Sequence, residues 1–84
     1  PRRKGINMEE LLKAMVEELV DDKSAISVTV DEPNEEGTTV YHLHVAPDDM
    51  GRVIGKQGRI AKAIRTIMRA GAVRYNQKVM VEID

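Results

Sequence analysis

Eighty-four residues make one domain with a small core, and 42% hydrophobic against 32% charged residues is a globular balance, not a disordered one. The lack of cysteine excludes a disulfide framework and a cysteine-based zinc site, and no apolar run approaches a membrane span. The net charge of −1 conceals a division: residues 1–50 carry five Lys or Arg and twelve Asp or Glu, whereas residues 51–78 carry eight Lys or Arg and no acid. Such a chain is not a general polyanion binder but has one local basic site on an acidic remainder.

The first seven residues, Pro1 to Asn7, precede Met8 and are expected to be a disordered tail, either a remnant of expression or the end of an upstream segment. No hydrophobic segment follows this basic start as a signal peptide requires, so the protein is expected in the cytoplasm. Asn7 is a good N-cap, and Glu9 and Glu10 complement the helix dipole in the first turn. Leu11, Leu12, Met15, Val16 and Leu19 form one apolar stripe, which predicts an amphipathic helix over 8–20 with an acidic outer face at Glu10, Glu17 and Glu18. An acidic polar face argues against a membrane-surface role.

Residues 21–24 read as a turn. Ile26, Val28 and Val30 then alternate with Ser27 and Thr29, the pattern of a half-buried strand. Residues 31–37 form a polar hairpin loop punctuated by Pro33 and Gly37, and its four acids should point away from any nucleic acid. Thr38 to Ala46 is a second strand, expected to be the central one, with Tyr41, Leu43 and Val45 on one face and Val40, His42, His44 and Ala46 on the other. Two imidazoles without further ligands do not make a metal site, and neither a metal nor a cofactor is expected. Pro47 ends the strand, and Asp48 or Asp49 is expected to cap a short helix through Val53.

Gly55-Lys56-Gln57-Gly58 interrupts the helical pattern between the apolar pair Val53-Ile54 and a long run of helix formers. Glycine lets backbone come close to a ligand, and the N-terminus of the following helix offers free N–H groups and a positive dipole end. With Lys56 and Arg59 beside it, the natural ligand is a phosphate backbone. A helix is predicted from Arg59 to about Tyr75. Ile60, Ile64, Ile67 and Gly71 are expected to face the sheet, and Arg59, Lys62, Thr66 and Arg69 to form a polar, mostly basic stripe. Ala61, Ala63, Met68, Ala70, Ala72 and Val73 widen the apolar surface enough to meet a partner. After a turn at Asn76-Gln77, Val79, Val81 and Ile83 alternate with Met80 and Glu82 in a final strand. A helical crossover between the second and last strands favours parallel pairing. The expected product is an α+β fold, a three-stranded sheet with three helices on one face in the order α-β-β-α-α-β.

The stretch Gly51 to Arg65 resembles the GxxG loop of a KH domain in its VIGxxGxxIxxI form, and more closely the small bacterial KH proteins of the KhpA type. The resemblance runs from about Met8 to Asp84, and implies a single KH domain over 8–84 with the type II order of elements. It also implies a function: about four nucleotides of single-stranded RNA held in a groove beside the loop. On this likeness Gly55 and Gly58 admit the sugar-phosphate backbone, Lys56 and Gln57 contact phosphates, and Arg59 and Lys62 extend the cationic edge. Val53, Ile54 and Ile60 shape an apolar floor while anchoring the helices, Arg52 joins the RNA-contacting set, and backbone near Leu43 to Val45 reads base edges. The partners implied are single-stranded RNA, a second copy in a homodimer, and a larger KH- and R3H-containing protein of the Jag type. The role implied is that of a post-transcriptional regulator or RNA chaperone. The alternative is a KH-fold protein-interaction module with little RNA binding of its own. An enzyme is not expected: Ser24 and Ser27 are the only serines, no nucleophile stands beside an evident base, and GxxxxGK[ST] is absent.

Overall fold

The computed structural model describes residues 7–84, and of the tail expected over 1–7 only Asn7 falls among the described residues. Asn7 caps the first helix, α1 (Met8–Glu17), its Oδ1 accepting the Glu10 N–H at 2.8 Å. Met8, Leu12 and Val16 are buried, and Leu11, Met15 and Leu19 pack against them. The helix stops three residues short of the expected end. The N–H groups of Leu19 and Val20 both turn back to the Val16 carbonyl, at 2.9 and 3.2 Å. This tight turn drives Val20 into the core.

Strand β1 (Ser27–Val30) pairs antiparallel with β2 (Thr38–His44), and β3 (Lys78–Ile83) pairs parallel with β2 on its other side. The order is β1-β2-β3, so β2 is central as expected. Tyr41 and Leu43 of β2, Val45 just beyond it, and Val79 and Val81 of β3 are buried on one face, under the helices. The opposite face carries Thr29, Val40, His42, His44, Met80 and Glu82, none of them buried. The result is two layers, a three-stranded mixed sheet with α1, α2 (Met50–Ile54) and α3 (Arg59–Val73) on one face.

The phase of α3 differs from the expected one. Ala61, Ile64, Met68 and Ala72 form its buried row, whereas Ile67 is 47% exposed and Ile60 only half-buried. Both rows satisfy helical spacing. The choice falls to α1, which packs against α3 at Gly71: a Cβ there would stand 3.2 Å from the Met8 Cε and 3.5 Å from the Leu11 Cδ2. That contact rotates the helix so that two alanines and a flexible methionine, side chains that permit close approach and fill irregular gaps, meet the core.

On the open sheet face His42 stands between two carboxylates. Its Nε2 lies 2.8 Å from Asp31 and its Nδ1 3.4 Å from Glu82, so the imidazole ties the hairpin loop to β3. The Asp31 hydrogen bond raises the His42 pKa above the ordinary imidazole value, and the charges of Asp31, Glu82 and Asp84 add to the effect against partial desolvation. A pKa raised in the folded state means that this contribution is fully present below about pH 6.5 and is lost as pH rises through the folded value. Urea midpoints of wild type and His42→Gln should therefore differ most in mild acid and converge as the pH climbs from about 6.5. A difference independent of pH would show that the charged imidazole does not contribute.

Candidate nucleic-acid interface

The site begins with a buried aspartate. After β2 a 3-10 turn at Pro47–Asp49 leads into α2. Neither Asp48 nor Asp49 caps the helix with its side chain, contrary to the expectation from sequence. Asp49 instead points inward and is fully buried. Its carboxylate accepts the backbone N–H groups of Asp21 at 3.1 Å and Asp22 at 3.0 Å, and the Arg52 guanidinium at 2.7 Å. The two backbone N–H groups hold its pKa below the usual carboxylate range, with Arg52 adding to them and burial opposing. Arg52 also lies 3.4 Å from the Asp21 carboxylate.

One turn later α2 ends at Gly55, whose N–H closes on the Gly51 carbonyl at 2.8 Å. Gly55 has φ 77° and ψ 173°, a backbone state that side chains rarely permit. A Cβ there would also collide with the Ile60 side chain and stand 2.9 Å from the Ile60 nitrogen. Gln57 (φ 58°) and Gly58 (φ 75°) follow in consecutive left-handed conformations, with the Gly58 N–H on the Gly55 carbonyl at 3.1 Å. A Cβ at Gly58 would meet nothing within 4 Å, so the loop surface there is open to an approaching ligand.

Helix α3 then starts without a capping side chain and without an acid in its first turn, whereas α1 has both. The Arg59 N–H closes on the Lys56 carbonyl, but no side chain offsets the positive end of the helix dipole. Lys56, Gln57, Arg59 and Lys62 are exposed around this end, and among the described residues none of the ion pairs involves Lys56, Arg59 or Lys62. Gln57 Oε1 accepts from Arg59 at 3.2 Å, which leaves the Gln57 amide N–H groups to donate outward. Ile54, 40% exposed, and the half-buried Ile60 border the loop.

Eight of the ten residues singled out from the sequence thus share one corner: Ile54, Gly55, Lys56, Gln57, Gly58, Arg59, Ile60 and Lys62. Val53 is fully buried and supports the loop from beneath. Arg52 faces back onto Asp49 and Asp21. Of the backbone expected to read base edges, Leu43 is engaged on both sides: it pairs with Val28 and with Ile83, and its carbonyl accepts the Asp84 N–H at 2.8 Å. The free edge near the loop belongs to β3. There Arg65, Arg69, Val79, Met80, Val81 and Glu82 line a groove, and the Arg65 Nε donates to the Val81 carbonyl at 3.1 Å. Sequence reasoning left Arg65 out of the site, although its i, i+4 spacing to Arg69 on a helix that must cross over to β3 was the signal. The register also places the acidic hairpin at the Thr38 end of β2, where α3 finishes, and the glycine loop at the opposite end.

The sequence pattern of the KhpA/KhpB KH domain matches residues 9–83. The chain belongs to this family. It is 50% identical over 76 residues to the RNA-binding protein KhpA of Clostridium acetobutylicum, covering 90% of this chain and 99% of the relative. Identity to the protein of the same name in Listeria monocytogenes is 48% over 77 residues (90% and 97% covered), and in Aquifex aeolicus 42% over 76 residues (90% and 94% covered). Among solved structures, Aquifex aeolicus Era bound to GDP and AlF4− superposes with a TM-score of 0.64 at 19% identity, over 90% of this chain and 29% of that one. Era in complex with MgGDPNP and nucleotides 1506–1542 of 16S ribosomal RNA gives 0.63 at 19% identity, over 90% and 28%. At that identity the likeness speaks for the fold alone.

The two loop glycines should respond differently to substitution. Gly55→Ala combines a left-handed strain with a steric clash and should lower unfolding free energy by about 2–5 kcal/mol. Gly58→Ala meets open space and should cost only about 1–2 kcal/mol. Urea unfolding of the two variants measures this, and equal losses would contradict the packing role of Gly55.

Proposed function

We propose that the protein binds short single-stranded RNA across the Gly55–Gly58 loop and the basic face of α3. The observation that carries this reading is the gathering of Lys56, Arg59 and Lys62, in no ion pair among the described residues, around a helix N-terminus without a side-chain cap that two left-handed residues leave open. Phosphates would face the positive end of α3 and take the outward amide of Gln57, with Lys56, Arg59 and Lys62 neutralising their charge. The strand would then follow α3 past Ile54 and Ile60 toward the groove of Arg65 and Arg69. Tyr41 is buried and Tyr75 lies at the far end of α3, so bases would meet aliphatic side chains and backbone instead of a stacking platform. The name of the relatives, RNA-binding protein KhpA, supports the same reading.

With about three to four phosphate contacts, the logarithm of affinity should fall with the logarithm of salt at a slope near −2 to −3. Binding by one copy would be weak, and a homodimer or a complex with a larger Jag-type KH/R3H protein would raise it through effective concentration. The protein would act as a binding protein and not an enzyme, in the cytoplasm, as a post-transcriptional regulator or RNA chaperone. No helix among the described residues is long and apolar enough to cross a membrane.

One observation favours a second reading, in which the fold serves mainly to bind a protein. Ile67 and Val73 on α3 are 47% and 72% exposed, more apolar surface than RNA contact requires. The double variant Lys56→Asp, Gln57→Asp separates the two. If RNA is the ligand, it should lose at least tenfold in affinity for single-stranded RNA by fluorescence anisotropy, with molar mass by light scattering unchanged. Equal RNA affinity in variant and wild type would overturn the loop as the site and leave the protein-binding reading standing.

A further inference from the structure

We propose that Asp49 is a positioning residue for the Gly55–Gly58 loop, and that Arg52 acts with it as a clamp and does not contact phosphate. This deepens the RNA-binding reading and rests on it. Helix α2 has only five residues, too few to hold its own place through intrahelical hydrogen bonds. Its placement is set at its ends. At the C-terminal end Val53 is buried and Gly55 lies against Ile60. At the N-terminal end the hold is the Asp49 carboxylate. Both of its oxygens accept a backbone N–H from the turn between α1 and β1, 27 and 28 residues away in sequence.

The geometry of this attachment gives it leverage. Asp49 precedes Gly55 by six residues, about 9 Å along a helical path, so a shift at the carboxylate is carried rigidly to the loop. Asp49 is fully buried, out of reach of anything that docks on the surface. Arg52 closes the arrangement from outside, with one nitrogen 2.7 Å from Asp49 and the other 3.4 Å from Asp21. Swinging it out to a phosphate would take a charged partner from a buried carboxylate, which is unfavourable. Among the described residues, Arg52 is thus the cation near the loop that is paired with carboxylates.

The test compares binding of a short fluorescent single-stranded RNA over a range of salt concentrations, at a temperature where circular dichroism shows every variant folded. Lys56→Met removes a phosphate contact, so its salt slope should flatten by about 0.7. Asp49→Asn removes a negative charge near a polyanion site, which on electrostatics alone would tighten binding. As a positioning variant it should instead weaken binding about tenfold with the slope unchanged. Arg52→Met should likewise weaken binding without flattening the slope. In both variants amide exchange should quicken at residues 51–58 while α1 and β3 keep their protection. Asp49→Asn binding as tightly as wild type or more tightly, or Arg52→Met flattening the slope as Lys56→Met does, would overturn the proposal. If wild type binds no RNA, the RNA reading itself fails, and exchange decides the positioning claim: unchanged protection at 51–58 in Asp49→Asn refutes it.

Discussion

Two neighbouring parallel strands cannot be joined by a tight turn; the chain must leave the sheet, run back along it and re-enter beside its starting strand. The pairing of β2 with β3 imposes this, and the functional corner depends on it. The crossover consists of α2, the glycine loop and α3. Because α3 has to return the chain to the start of β3, its N-terminus stands at the end of the sheet where β2 finishes. The same crossover lays the Arg65 and Arg69 face of α3 along the free edge of β3 and creates the groove. A chain with antiparallel pairing at this position would need neither the helices nor the loop between them.

The same topology segregates charge. The basic excess lies within the crossover, in residues 51–78, and most of the acids lie in α1, the turn after it and the β1–β2 hairpin. Hairpin and glycine loop fall at opposite ends of the sheet, roughly the length of α3 apart, about 22 Å for fifteen residues. That separation exceeds the Debye length of about 8 Å at physiological ionic strength, so the acidic hairpin does little to repel an anion at the loop. Arg52 pairs with Asp49 and Asp21 and offsets part of their charge. A nearly neutral protein thereby keeps one positive corner.

Features whose causes are local were legible in the sequence. Asn7 caps the helix it was expected to cap, the alternating valines of β1 and β3 form the expected strands, and Gly55 and Gly58 mark the break between α2 and α3. What sequence alone left open depends on contacts distant along the chain. The rows through Ile67 and through Met68 fit a helical period equally well, and only the docking of α1 at Gly71 selects the second. Asp49 sits where a helix cap belongs, yet its partners are the N–H groups of Asp21 and Asp22, which no local rule connects with it. Arg52 counts as a cation beside the loop until that carboxylate is placed. The Leu43 carbonyl likewise accepts the N–H of Asp84, just beyond β3. The loop itself was readable; the supports that hold it and the groove that continues from it required the tertiary structure.

The central claim is that one corner of the molecule, built by the crossover, receives single-stranded RNA. The most direct measurement is a titration of the 15N-labelled protein with a short single-stranded RNA, following amide chemical shifts residue by residue. Shifts should concentrate at residues 54–62 and continue along Arg65 and Arg69 to the edge of β3, with α1 and the open sheet face around His44 unmoved. Shifts confined to that open face, or to the Ile67 and Val73 surface without the loop, would contradict it.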